Sequence, residues 1–121
     1  MLEINILKDS NYLWADIKGK LIIEEDGKNM FEQINSYISE ECSNIVLNLK
    51  DLEYINSSGF NNLLKLLTKS RNLGGDTFLC NINSVIDTLL ITTKLNTIFK
   101  VENKIENLNS KIKDHFNLEL A

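Results

Sequence analysis

The residues best placed to do chemistry in this sequence lie in Tyr54-Ile55-Asn56-Ser57-Ser58-Gly59-Phe60, where two adjacent hydroxyls precede apolar residues at helical spacing. Ser57 and Ser58 could each cap a helix or, with a base beside them, act as nucleophiles. A polar helix start at the end of a buried strand presents unpaired backbone N–H groups and a partial positive charge. In open α/β sheets, ligands and partners meet the carboxyl ends of strands. Gly59 removes a side chain from the first turn, which leaves room for another surface to approach. Serine and asparagine are also the preferred N-caps, and most such sequences do no more than start a helix.

Other reactive constellations are excluded by counting. His115 is the single histidine and lies near the C-terminus, so there is neither a histidine zinc set nor a Ser-His-Asp triad on the core. It reads as a solvated residue at a helix end. No G-x-x-x-x-G-K-[ST] or G-x-G-x-x-G occurs, so no nucleotide-binding loop is signalled. Glu24, Glu25 and Asp26 read as the solvated start of a helix. Asn56-Ser57-Ser58 matches the glycosylation acceptor pattern, which has no consequence without export. Neither serine has a positioned base, so the chain is expected to be no enzyme and to carry no cofactor or metal.

Composition bounds the rest. The 121 residues are 43% hydrophobic and 25% charged, ordinary values for a globular domain. The 13 basic and 17 acidic side chains leave a net charge of −4, and Arg71 is the only arginine. Such a balance argues against binding nucleic acid or anionic membranes through a basic field. Cys42 and Cys80 are far apart in apolar segments and read as reduced core residues of a cytosolic protein. Glu3, Lys8 and Asp9 interrupt the N-terminus too early for a signal peptide, and no apolar run is long enough to cross a bilayer. The expected protein is cytoplasmic, with no direct membrane insertion.

The elements that must position the junction follow from periodicity. Leu2, Ile4 and Ile6, then Leu13, Ala15 and Ile17, alternate with polar residues around Asp9-Ser10-Asn11, predicting an antiparallel hairpin. Met30, Phe31, Ile34, Tyr37 and Ile38 predict a first helix. Ile45 to Leu49 reads as a central strand, followed directly by the junction and a second helix bearing Phe60, Leu63, Leu64 and Leu67. That helix stops at Gly74-Gly75, and Thr77 to Ile82 reads as a strand parallel to the central one. Ser84-x-x-Asp87 starts a third helix with Val85, Ile86, Leu89 and Leu90. Leu95 to Val101 contributes a short edge strand containing Ile98 and Phe99. A last amphipathic helix carries Ile105, Leu108, Ile112 and Phe116. With no linker, repeat or proline, residues 1–121 read as a single domain.

With these elements in place, Ile45 to Leu52, Asn56-Ser57-Ser58-Gly59 and Gly74-Gly75 before a strand resemble the STAS domain of bacterial anti-sigma factor antagonists. The resemblance runs from the hairpin and Gly19 to the Leu95…Ile98-Phe99 segment. It implies an α/β fold with a mixed four- to five-stranded sheet and helices packed mainly on one side. It further implies that the unphosphorylated protein binds an anti-sigma factor that is itself an ATP-dependent serine kinase, releasing a sigma factor for transcription. The kinase would phosphorylate Ser57, which stands at the family's phosphorylated serine, and a phosphatase would reverse this. Asn56, Ser57, Ser58, Gly59 and Phe60 would then form the partner contact.

The physics of such a switch is simple. A phosphate adds about −1.5 to −2 charges, tolerated at a helix N-terminus but costly in a contact face. Docking can therefore be abolished without unfolding the domain. Two positions depart from the family pattern. Asn56 replaces the usual aspartate, which preserves capping but removes a negative charge. Lys94 stands where relatives often have glycine, implying a different turn or a lysine in an unfavourable backbone conformation. Asn56 also motivates an alternative, a non-phosphorylated STAS adaptor subunit of a signalling or lipid-transport complex.

Overall fold

Alternating apolar residues give this chain a sheet with two different faces. The computed structural model describes residues 2–9 and 11–102. Strands β1 (Glu3–Asp9) and β2 (Tyr12–Leu21) form the expected antiparallel hairpin. Helix α1 (Glu24–Asn35) leads to β3 (Asn44–Asn48), and a short β4 (Leu52–Ile55) follows. Helix α2 (Ser57–Asn72), β5 (Thr77–Cys80), α3 (Ser84–Thr93) and β6 (Lys100–Glu102) complete the described chain. The sheet order is β1-β2-β3-β5-β6, with β4 paired to β2 off this path. Among the described residues only the β1–β2 pair of strands is antiparallel, so the sheet is mixed, and six strands are described where four or five were expected.

Leu13, Ala15, Ile17, Ile45, Leu47 and Leu79 share one face and pack against Met30 and Ile34 of α1, Leu63, Leu66 and Leu67 of α2, and Ile86 and Leu90 of α3. The opposite parity, Tyr12, Trp14, Val46, Phe78 and Cys80, forms a second buried cluster. All three helices contribute to the first cluster only, which places them on one side as expected. Cys42 belongs to the first cluster and Cys80 to the second.

The unforeseen strand β4 depends on a change of partner along β2. Residues Tyr12 to Asp16 pair with β3, whereas Gly19 to Leu21 pair with β4. The switch falls between Asp16 and Gly19, and a bulge follows directly after Gly19, whose φ of 105° lies in the region glycine occupies without strain. Its N–H donates to the Asp51 carbonyl at 3.0 Å, turning the chain from β3 into β4.

Other boundaries shift for local reasons. Helix α1 stops at Asn35 because Tyr37 and Ile38 donate to Ile34 and Asn35, three residues back, and tighten the last turn. Asn83, not Ser84, caps α3, its Oδ1 accepting from the Ile86 N–H at 2.9 Å. Leu95–Thr97 forms a 3₁₀ turn, so Ile98 and Phe99 precede the edge strand instead of lying in it. Lys94 does occupy the left-handed region, with φ 62°. The expected C-terminal helix and His115 lie outside the described residues.

Candidate functional site at the strand–helix junction

Asn56 caps α2 with its own side chain: Oδ1 accepts from the Gly59 N–H at 2.9 Å. The other end of the amide works as well, since Nδ2 donates to the Ile22 carbonyl at 2.9 Å. The Asn56 N–H donates to the Leu21 carbonyl at 3.2 Å. One residue thus starts α2 and ties it to the segment entering α1. Because β2 and β4 run parallel, with Leu21 opposite Ile55, both helices begin at the same end of the sheet.

The five expected contact residues separate by exposure. Ser57 is exposed, Asn56 and Ser58 are half-buried, and Gly59 and Phe60 are buried. Phe60, expected on the contact surface, is only 3% exposed and packs in the main core. Its ring supports the junction from beneath, because the helix periodicity that seats Leu63 and Leu67 inward also turns Phe60 inward. Gly59 does permit a close approach, but by the protein itself. A Cβ there would lie 2.8 Å from the Leu21 carbonyl oxygen and 2.6 Å from Ile55 Cγ1.

The two neighbouring helix starts differ electrostatically. Helix α1 carries Glu24, Glu25 and Asp26 in its first turn, whereas that of α2 contains no acidic residue. The positive end of α2 is therefore met by neutral groups alone within its own first turn. Between the helices, Glu24, Lys28, Ser58, Asn61, Asn62 and Lys65 line a shallow groove. Asn62 Nδ2 donates to the Ser58 carbonyl at 3.1 Å, steadying the turn that presents Ser57.

Sequence reasoning missed the role of Ile22, whose carbonyl receives the Asn56 amide, and the exposure of Ile22, Ile23 and Tyr54 around the junction. The available signal was Ile22-Ile23 directly before the acidic Glu24-Glu25-Asp26, and Tyr54 next to Glu53. A polar chain at the strand ends also escaped notice. Asp16 Oδ1 accepts from Trp14 Nε1 at 2.8 Å and Asn48 Nδ2 at 2.6 Å, and Asn81 Nδ2 donates to Asn48 Oδ1 at 2.8 Å. It satisfies the buried indole and links β2, β3 and the end of β5. Among the described residues, no group of acidic, cysteine or histidine side chains could hold a metal ion. No helix there is long and apolar enough to cross a membrane.

A mixed sheet with helices on one side and an exposed serine at a strand–helix junction defines a small α/β domain that presents a hydroxyl at the start of α2. The chain belongs to the STAS domain family, whose model matches residues 10–108. Its fold is similar to that of the anti-sigma factor antagonist SpoIIAA in its unphosphorylated form, with 15% identity, a TM-score of 0.77, and coverage of 94% of this chain and 96% of that one. The phosphorylated form of the Bacillus cell fate determinant SpoIIAA aligns at 14% identity and TM-score 0.70, over 98% of this chain and 99% of its own. A serine-to-glutamate variant of RsbS from Moorella thermoacetica aligns at 16% identity and TM-score 0.73, over 98% of each chain. At these identities the likeness establishes the fold.

Proposed function

We propose that this chain is a cytoplasmic anti-sigma factor antagonist, a binding module and not an enzyme. In its unmodified form it docks on a kinase-type anti-sigma factor through the Asn56–Gly59 junction, releasing a sigma factor. The observation that carries this reading is the exposed Ser57 in the first turn of α2, a turn that contains no acidic residue. Such a position tolerates a phosphate within the protein while placing it in the contact face. The kinase supplies ATP. Ser57 Oγ forms a bond to the γ-phosphorus, the bond to ADP breaks, and the hydroxyl proton leaves to a base of the kinase. Asn56 offers no carboxylate for that proton. A phosphatase hydrolyses the phosphoserine and restores binding. The reading is supported by SpoIIAA, which shares this fold and has been solved in both phosphorylated and unphosphorylated forms.

The test is binding of the purified protein to kinase-type anti-sigma factors of the same genome, with and without ATP. The unmodified protein binds, and Ser57→Asp weakens binding by at least about tenfold, or 1.4 kcal/mol, with its melting temperature nearly unchanged. Ser57→Ala binds but takes up no phosphate. Absence of binding by the unmodified protein, or equal binding by Ser57→Asp, overturns the reading.

A second reading, a constitutive adaptor, is favoured by the neutral Asn56 amide, whose bond to the Ile22 carbonyl no carboxylate could donate. Mass spectrometry of protein from its native host separates the two. Phosphate on Ser57 supports the switch, and an unmodified serine under every growth condition supports the adaptor.

A further inference from the structure

We propose that Ile22, Ile23 and Tyr54 form an apolar collar beside Ser57, and that its occupant is the same protein partner, presenting an apolar patch bordered by lysine or arginine. The inference rests on the reading of Ser57 given above and adds the surface that supplies affinity. Ile22, Ile23 and Tyr54 are 44%, 59% and 42% exposed. Their positions are fixed by the junction itself. Tyr54 lies on β4 opposite Lys20, Ile22 and Ile23 follow the end of β2, and the Asn56 amide holds the Ile22 carbonyl. Single exposed apolar side chains are ordinary, but three on segments joined at this junction, next to an exposed serine, point to a contact surface.

Charge defines the partner's chemistry. Glu24, Glu25 and Glu53, each exposed, and the half-buried Asp26 lie close in sequence to Ile22, Ile23 and Tyr54, and they outnumber the exposed Lys20 opposite Tyr54 and the exposed Lys28 one turn along α1. An apolar patch with an acidic border complements an apolar patch with a basic border, and such complementarity speeds encounter. The collar also explains how a phosphate on Ser57 acts. At the edge of an apolar contact the dianion loses its water, and the three side chains Ile22, Ile23 and Tyr54 offer it no charge in exchange. The modification therefore opposes docking by desolvation.

The experiment measures binding of the full chain to the kinase-type partner for Ile23→Ser, Tyr54→Ser and the double variant. Leu7→Ser, at a 60% exposed position on β1, is the control. Each collar substitution weakens binding by about tenfold, as expected of a central apolar contact, and the control changes it by less than about twofold. Association slows as salt rises, and a photocrosslinker placed at Tyr54, but not at Leu7, captures the partner. The crosslink decides the matter if a serine variant folds poorly. Wild-type binding that Ser57→Asp weakens but the collar variants leave intact overturns the collar alone. A salt-independent association rate overturns the basic border. Capture of a second copy of this chain instead of the partner assigns the surface to self-association and overturns the proposal. Absence of wild-type binding overturns the functional reading and the collar together.

Discussion

The junction depends on both ends of one amide, and substitutions at Asn56 separate their contributions. Alanine removes the cap to the Gly59 N–H and the tie to the Ile22 carbonyl, each 2.9 Å long. Loss of an N-cap costs about 0.5–2 kcal/mol. Loss of a neutral hydrogen bond costs about 0.5–1.5 kcal/mol. Asn56→Ala should therefore lose about 1–3.5 kcal/mol, with a fall in melting temperature on the order of 4–12 °C for a domain of this size. Aspartate keeps the cap acceptor and gains roughly 0.3–1 kcal/mol from its charge at the helix N-terminus. It also sets an acceptor against the Ile22 carbonyl, so the loss of that bond cancels the gain. Asn56→Asp should stay within about 1 kcal/mol of wild type by this cancellation. Urea denaturation followed by the fluorescence of Trp14, the single tryptophan and 3% exposed, measures both variants. An alanine variant as stable as wild type would refute the account of how α2 is started. An aspartate variant more stable than wild type by about 1 kcal/mol, the whole of the charge gain, would show that the tie to Ile22 contributes nothing.

Further outcomes follow from the same geometry. Gly59→Ala forces a Cβ against the Leu21 carbonyl and Ile55, so despite alanine's higher helix propensity it should destabilise by about 1–2 kcal/mol in the same denaturation assay. Phe60→Ala should cost about 3–5 kcal/mol, against almost nothing for Ser57→Ala next to it, which thermal unfolding of the two variants checks. Asp76 is bonded to Arg71 and Lys100, each at 3.2 Å, and accepts from the Thr77 N–H at 2.8 Å. Burial pushes its carboxyl up, but the Thr77 N–H, Lys100 and Arg71 outweigh burial and hold it below the usual 3.8. A lowered folded-state value stabilises above the unfolded value and is lost as pH falls through the folded one. The stability gap between wild type and Asp76→Asn should thus be widest near neutrality and shrink below about pH 4, as measured by urea titrations across pH. Burial raises the Cys42 thiol above its ordinary value despite nearby Lys8, so native protein should resist alkylation there at pH 8 until denaturant is added.

Local chemistry made much of this molecule legible beforehand. The hairpin and the core faces of the helices follow from spacing that each segment carries within itself, as does the stop near Gly74, whose φ is 90°. Asn56 and Ser57 were likewise recognisable as a helix start, because capping is settled within four residues. Strand β4 was not recognisable, since Leu52 and Ile55 are buried without alternating and gain their strand character only by pairing with β2 from Gly19 onward. The neighbours of Gly59 and Phe60 were decided in the same way, by elements distant in sequence. A segment's periodicity states which of its residues avoid water, and it says nothing about which other segment covers them. That choice belongs to the packed sheet, which closed over Gly59 and Phe60 and left Ser57 facing solvent.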